Sequence, residues 1–441
     1  MAVKSVNVEE LIDRQKFGVF GVRVLVLALL ALIIDGYDVQ VMSFAAPSLL
    51  KAWHLQRSAF APVFSASLFG IMFGAPLFGW LGDRIGRKAC IVISSVVYGL
   101  FSLAFLLAHD LPTLLVLRFL AGVGMGGVFP NAVAIAAELA PRRLRAGMAS
   151  IISIGITIGG VIPGLVVTEL PPGPVFHRLF LIGGVLPLVL AALLALALPE
   201  SLTFLIQKGG SRARIARQVR QIDPGIEAGD DVEFILPPRP ASEPVGFAAL
   251  FAGQMAAITP LLWLMFCATL LSIYMLTSWM PMLVEASGYS ASQAAAANSL
   301  FQVGGTLGGV MVGLLLGRFG MRLVAVLFVA CLMAVGIAAR AQLTDAGLAA
   351  AIAACGFCLI GAQCALNGTT GLAYPTAVRA RGLGMALGVG RVGSVAGPLL
   401  AGVMVAGGVT SARDLFELPL IPLAIGAVAA FVVMGRLKPV S

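Results

Sequence analysis

The chain has 441 residues, 59% of them hydrophobic and only 11% charged, with a formal net charge of +9. That balance excludes a soluble domain with a single core and fits a polytopic membrane protein. The basic excess is not a nucleic-acid footprint, because the basic residues sort by membrane side.

A short charged head, Met1 to Lys16, runs directly into the first apolar segment, with no cleavable signal evident. Charge-poor apolar segments of about twenty residues then recur along the whole chain, the pattern of helical rather than barrel spanning. Twelve spans are predicted near 23–47, 59–81, 89–108, 112–137, 146–169, 178–198, 260–284, 294–316, 322–341, 346–372, 383–407 and 415–436. One side of this arrangement carries most of the basic residues, among them Arg84, Arg87, Lys88, Arg142, Arg143, Arg145, Arg212, Arg214, Arg217, Arg220, Arg318 and Arg322. The other side holds Lys51, Arg57, Arg178, Arg340 and Arg413. The positive-inside rule then places both termini in the cytoplasm.

The first span contains Ile34-Asp35-Gly36-Tyr37-Asp38 within otherwise uncharged sequence. Each carboxylate at that depth costs roughly 2.5–3.5 kcal/mol on insertion scales. Three residues apart, Asp35 and Asp38 share a helix face and one polar cavity. Gly36 lets a second backbone approach, or loosens the helix. The functional reading is a proton or substrate path; the plain reading is a structural carboxylate tied to a buried arginine.

Gly79-x-x-x-Asp83-Arg84-x-Gly86-Arg87-Lys88 joins spans two and three. Asp83, Arg84, Arg87 and Lys88 sit where they can pair with helix ends in one conformational state only, as a latch. Arg118 lies two turns inside the outer end of span four, at a depth compatible with Asp38, and Gly122 and Gly126 continue its face. We expect it to pair with Asp35 or Asp38; the alternative is that it snorkels outward. Glu138 closes span four at a cytoplasmic helix end, where water can reach it.

Pro199 to Thr259 is the one long polar stretch. Pro199-Glu200-Ser201 closes span six, Arg212 to Arg220 reads as a short basic surface helix, and acids follow (Asp223, Glu227, Asp230, Asp231, Glu233). A proline-rich linker ends at Pro244.

The second half repeats the first. Gly313-x-x-x-Gly317-Arg318-x-Gly320-Met321-Arg322 stands 234 positions after the Gly79 loop, and the same displacement relates Pro141 to Pro375 and Arg145 to Arg379. Six spans per half make the repeats parallel about an axis normal to the membrane, with a site between two bundles at the midplane. The predicted organisation is an N-terminal six-helix bundle over 1–198, a cytoplasmic loop over 199–259 and a C-terminal bundle over 260–441. Asp35 and Asp38 have Thr269 and Ser272 at the repeated positions, so one half has specialised in a charge-bearing task.

Arg391 stands roughly 12 Å inside the cytoplasmic end of span eleven, with no acid in spans seven to twelve placed to neutralise it. Its planar fork suits a carboxylate held by two hydrogen bonds. Gln363 and Asn367 on span ten and Asn298 and Gln302 on span eight form polar stripes that either complete such a site or bond helix to helix. Tyr274 and Trp279 on span seven can cover an aromatic ring, or Trp279 belongs to the interfacial belt. All six cysteines lie in spans, so no disulfide framework follows, and Cys355-x-x-Cys358 reads as small apolar filling. His54, His109 and His177 are scattered, and no nucleophile–base constellation or metal cluster is visible, which opposes a membrane-embedded enzyme or receptor.

The Gly79–Lys88 loop resembles the hallmark loop of the major facilitator superfamily, and Pro199-Glu200-Ser201 resembles its end-of-span-six motif. Asp35-Gly36-Tyr37-Asp38 with Ala46-Pro47, Arg118-Phe119-Leu120-x-Gly122-x-Gly124-x-Gly126 through Pro130-Asn131, Glu138-x-x-Pro141 and Gly390-Arg391-x-Gly393-x-x-x-Gly397-Pro398 resemble the aromatic acid:proton symporters within it. The resemblance covers nearly the whole chain. It implies an all-α polytopic membrane protein, twelve helices in two six-helix bundles, importing a small aromatic acid with a proton by alternating access. The proton is the coupling ion, no cofactor is implied, and the carrier is expected in the bacterial inner membrane, working as a monomer.

Two departures matter. Gly317 replaces the acid at the second-half position of Asp83, which removes a symmetric latch around Arg318. Gly155-x-x-x-Gly159-Gly160-x-x-Pro163-Gly164 in span five lacks the Gly-Pro order of exporters and weighs toward import. Rival readings are a carrier of another organic anion, sugar or drug, and an uncoupled facilitator or exporter. Arg391 opposes a neutral sugar, and an anion entering an inside-negative cell needs a proton to accumulate.

Overall fold

The computed structural model describes residues 4–15, 18–169, 175–223, 232–237, 247–340, 344–375, 378–409 and 411–436. Lys16, the acids Glu227, Asp230 and Asp231, and the linker ending at Pro244 lie outside the described residues.

Among the described residues, twelve helices are long and apolar enough to cross a membrane. Spans 1 to 6 are Val19–Trp53, Arg57–Ile85, Arg87–Leu107, Leu111–Glu138, Arg142–Glu169 and Val175–Ala197. Spans 7 to 12 are Met255–Ala286, Ala291–Phe319, Met321–Arg340, Asp345–Gly371, Arg381–Ala406 and Arg413–Arg436. Several helices run past the predicted apolar cores. Span 1 begins at Val19 and reaches Trp53, and span 7 begins at Met255, because the helix continues once its sides find protein partners. The chain is a multi-pass membrane protein with an all-α fold.

Span 1 packs on span 5, span 2 on span 4 and span 3 on span 6. In the second half, span 7 packs on 11, 8 on 10 and 9 on 12. The repeat reaches the individual glycines at these crossings. A Cβ on Gly122 would lie 2.1 Å from the Ser67 carbonyl oxygen, and one on Gly356 would lie 1.9 Å from that of Phe301. Both residues of the second contact stand 234 positions beyond those of the first. Helix backbones in a bilayer approach this closely only where side chains are missing, since apolar surface alone gives helices no reason to leave lipid. The glycines fix the crossings, and two alike bundles follow.

The bundles meet through spans 5 and 8, 2 and 11, and 1 and 7. We call the membrane face bearing the N-terminal strand and Arg436 the terminal face, and the opposite one the far face. Cross-bundle bonds run from the far face to mid-depth. Lys51 pairs with Glu285, Ser65 Oγ donates to the Val395 carbonyl (2.8 Å), and Ser299 Oγ donates to that of Val161 (3.3 Å). Near mid-depth Thr306 Oγ1 donates to Thr157 Oγ1 (2.8 Å).

The terminal face carries structure that hydropathy does not announce. Strand β1 (Lys4–Asn7) pairs in parallel with β2 (Val232–Ile235), Lys4 opposite Val232. A short helix, Val8–Arg14, follows, and Arg142 holds it through Glu9 (3.2 Å) and Asp13 (3.0 Å). The expected basic helix is Arg212–Ile222, which turns Ile215, Ala216 and Val219 inward.

Candidate functional site

Asp35 sits near the centre of span 1 and Arg391 near the centre of span 11, so each is at mid-depth. Span 1 stays helical through both acids. Gly36 therefore serves close approach rather than loosening: a Cβ there would meet the Ile156 carbonyl oxygen at 2.1 Å. Asp35 is 5% and Asp38 1% exposed, so neither is hydrated by bulk water.

The two acids have different neighbours. Asp38 turns into the first bundle, where Ser102 Oγ of span 3 donates to its Oδ2 at 2.8 Å while Oδ1 has no protein partner. Tyr37, between them, anchors span 6 by donating to the Leu179 carbonyl (2.9 Å). Asp35 Oδ1 has no protein partner either, and the charge that reaches Asp35 from the second bundle is Arg391. Arg391 has no counter-charge within spans 7 to 12, because the acid within its reach belongs to span 1.

Arg118 is 1% exposed, so its guanidinium is buried instead of snorkelling. Its Nη2 donates to Ser67 Oγ (2.9 Å), its plane lies 5.5 Å from the Phe105 ring centre, and Nε and Nη1 have no protein partner. It is within electrostatic reach of Asp38, though no ion pair of 4 Å or less joins it to either acid.

Arg391 is half-buried. Its carbonyl accepts from Ser394 Oγ (2.6 Å), and its guanidinium donates no hydrogen bond among the described residues. A guanidinium with five unsatisfied donors at mid-depth demands an acceptor. Asn298 Nδ2 reaches Ser43 Oγ of span 1 (3.4 Å), leaving its Oδ1 unpartnered. Gln302 lies against Gly160 of span 5, and Gln363 Nε2 donates to Asn367 Oδ1 (3.1 Å) while its own Oε1 is unpartnered. The span 8 stripe thus joins helices, the span 10 stripe bonds within its own helix, and each still offers an acceptor. Tyr274 and Ser278 meet Gln40, Ser43 and Arg118 around a small cavity between the bundles.

Trp279 is fully buried, which excludes the interfacial belt. Its Nε1 donates to the Pro398 carbonyl (3.0 Å) and its ring meets Phe64 edge-on at 5.4 Å. It plugs the seam on the far-face side.

At the terminal face Arg87 bonds Asp83 (2.6 Å) and Glu138 (3.4 Å), and Lys88 donates its backbone N–H to Glu200 (3.1 Å). Glu138 is held by Arg87 while its side chain stays 25% exposed, so the helix end that water can reach also carries an ion pair. Arg84 instead stacks on Trp80 at 3.9 Å, and Arg318 lies over Phe319 at 5.6 Å. Sequence reasoning missed Ser102, Ser67 and the Lys51–Glu285 pair. The last carried a signal, since 51 and 285 are themselves 234 apart.

A profile of the Major Facilitator Superfamily matches residues 28–398. The 4-hydroxybenzoate transporter PcaK of Pseudomonas putida is 37% identical, over 89% of this chain and 88% of its own. The gallate transporter of the same species is 35% identical, over 90% and 89%. Among solved structures, the xylose transporter XylE of E. coli, in a partially occluded inward-open conformation, gives a TM-score of 0.72 over 96% of this chain and 98% of that one. At 16% identity it speaks for the fold alone. Two pseudo-symmetric bundles around buried charges, matched end to end by such carriers, make this chain a transporter and not an enzyme: it belongs to the Major Facilitator Superfamily and groups there with the aromatic acid transporters.

Proposed function

We propose that the chain imports a small aromatic carboxylate together with a proton across the bacterial cytoplasmic membrane, its terminal face toward the cytoplasm. The observation that carries this is that Asp35 of the first bundle and Arg391 of the second stand at the same mid-depth and within electrostatic reach of each other. A half-buried guanidinium at mid-depth with no protein acceptor among the described residues needs one negative charge. The Asp35 carboxylate supplies it when the substrate site is empty, and the substrate carboxylate supplies it when bound. Two carboxylates around one guanidinium leave an uncompensated buried charge, so the second arrives with a proton on Asp35. Substrate and proton then enter together, and the cargo crosses without net buried charge. Asp38, with Arg118 and Ser102, sits on the same helix as the onward proton acceptor.

The names of the relatives support the aromatic ring, and the basic residues of the terminal face support the orientation. The proton is the only coupling ion required. An uncoupled facilitator is the second reading, favoured only if Asp35 proves dispensable.

The test uses purified protein in lipid vesicles and labelled 4-hydroxybenzoate, benzoate and gallate. An acid-outside gradient should drive accumulation of at least one of them, and Asp35→Asn, which cannot exchange a proton, should equilibrate without accumulating. Accumulation by Asp35→Asn equal to that of the wild type would overturn the coupling assignment.

A further inference from the structure

Span 3 carries a line of hydroxyls that the substrate site does not use. Ser94, Tyr98 and Ser102 follow one another at four-residue spacing and fall on one helix face, covering roughly 12 Å of depth. All three are buried, as is Ser95 beside them. Ser102 donates to Asp38. The Tyr98 phenol lies within electrostatic reach of Asp35 and Asp38 and next to Ser95, without hydrogen-bond alignment. The Tyr98 oxygen and both the Ser94 and Ser95 oxygens have no protein partner.

That is unusual for this molecule. Helix hydroxyls in a bilayer ordinarily bond the carbonyl one turn back, as Thr269, Ser272 and Thr369 do here at 2.8, 2.8 and 2.7 Å. Buried polar atoms left without a protein partner are the places where proteins keep internal water.

The line continues to the terminal face. Ser94 Oγ stands where a side chain on Gly127 would begin, 2.1 Å from that virtual Cβ. The Gly127 carbonyl accepts from Asn131 Nδ2 at 2.8 Å. Asn131 Oδ1 and Arg87 Nη1 lie together beside Gly82, 2.2 and 3.1 Å from its virtual Cβ. Arg87 holds Asp83 and Glu138, and Glu138 Oε2 is again buried and unpartnered. The charged and titratable groups facing this line are Asp35, Asp38 and Tyr37 from span 1, Arg118 and Glu138 from span 4, and Glu200 after span 6.

The repeat supplies an internal control. The positions 234 beyond Ser94, Ser95, Tyr98, Ser102 and Asn131 are Phe328, Val329, Leu332, Gly336 and Ala365. The second bundle is apolar at every one of them, four on span 9 and Ala365 on span 10. Packing the repeated architecture therefore does not need the hydroxyls, and they coincide with the half that carries the acids.

We propose that the interior of the first bundle is a water-bridged proton route along span 3, leading from Asp38 past Tyr98, Ser95 and Ser94 to Asn131 and Glu138, separate from the substrate cavity between the bundles. The proton leaves the Asp38 carboxyl, is relayed through hydroxyls and bridging water to the Glu138 carboxylate, and is released from the resulting Glu138 carboxyl to cytoplasmic water. The proposal rests on the proton-coupled reading above. It explains how the coupling proton is delivered while the substrate leaves by another path.

The experiment compares two modes in lipid vesicles with labelled 4-hydroxybenzoate and an enclosed pH dye. One is exchange between equal substrate pools, which returns the carrier loaded and requires no proton release. The other is net uptake with its accompanying proton influx. In Ser94→Ala/Ser95→Ala/Tyr98→Phe, net uptake and proton influx should fall together by roughly ten-fold, while exchange stays within about two-fold of wild type and proves the variant folded. Equal loss of exchange and net uptake would mean the hydroxyls are structural, and loss of neither would mean the proton leaves elsewhere; both overturn the route. A wild type that exchanges substrate but moves no proton would instead refute the coupling reading on which the route depends.

Discussion

Lys51 and Glu285 are the same position in the two halves of the repeat, 234 residues apart, and they form an ion pair with each other across the bundle interface at the far face. A residue near a pseudo-two-fold axis meets its own counterpart, so opposite charges at equivalent positions make a clasp. Lys51 is 73% exposed, which limits the pair to about 1 kcal/mol or less. That is a bias between states, not a lock. Lys51→Glu should loosen far-face closure, and Lys51→Glu/Glu285→Lys should restore it. Trp279 reports the change in a protein whose other tryptophans, Trp53, Trp80 and Trp263, are phenylalanine. Its acrylamide quenching should rise in the single reversal and return in the swap.

At the terminal face, Asp83 is 69% exposed and its partner Arg87 is held by Glu138 as well. Asp83→Asn removes one of two anions from Arg87 and touches nothing near Arg391. Initial uptake rate should fall several-fold while equilibrium substrate affinity stays within a few-fold. A loss of affinity matching the loss of rate would place Asp83 in the binding site or in folding.

The glycine crossings predict matched instabilities. Gly122→Ala and Gly356→Ala each drive a methyl into a facing carbonyl, and overpacking of this kind costs about 1–3 kcal/mol. Gly313 of span 8 has open space around its virtual Cβ, so Gly313→Ala should be neutral or slightly stabilising. Thermal unfolding in detergent should lower Tm comparably for the first two and leave the third unchanged.

What the chain displays in one dimension was readable. Spans are runs without charge, the repeat is a fixed offset, and Asp35 and Asp38 are conspicuous because carboxylates do not sit at mid-depth without a task. What was hidden depends on which faces meet. Arg391 lacks an acid within its own bundle, and only the bundle interface brings Asp35 within electrostatic reach of it. Trp279 has the composition of an interfacial anchor, and only the Pro398 carbonyl and Phe64 show that it is buried. Strand β1 bonds to a strand more than two hundred residues away, with four residues on each side and no hydropathic signature. Ser94, Ser95 and Tyr98 looked like ordinary span residues until their unpartnered oxygens and apolar counterparts were set side by side.

The central claim is that Arg391 grips the substrate carboxylate. Equilibrium binding of each aromatic acid and its neutral amide to wild type, Arg391→Lys and Arg391→Ala tests it most directly. Wild type should strongly prefer the acid. Arg391→Lys should already lose affinity, because an ammonium keeps the charge without the two-pronged geometry. Arg391→Ala should lose on the order of 2–5 kcal/mol of binding along with the preference for acid over amide. A well-expressed Arg391→Ala protein that still binds the acid normally, and still rejects the amide, would contradict the account.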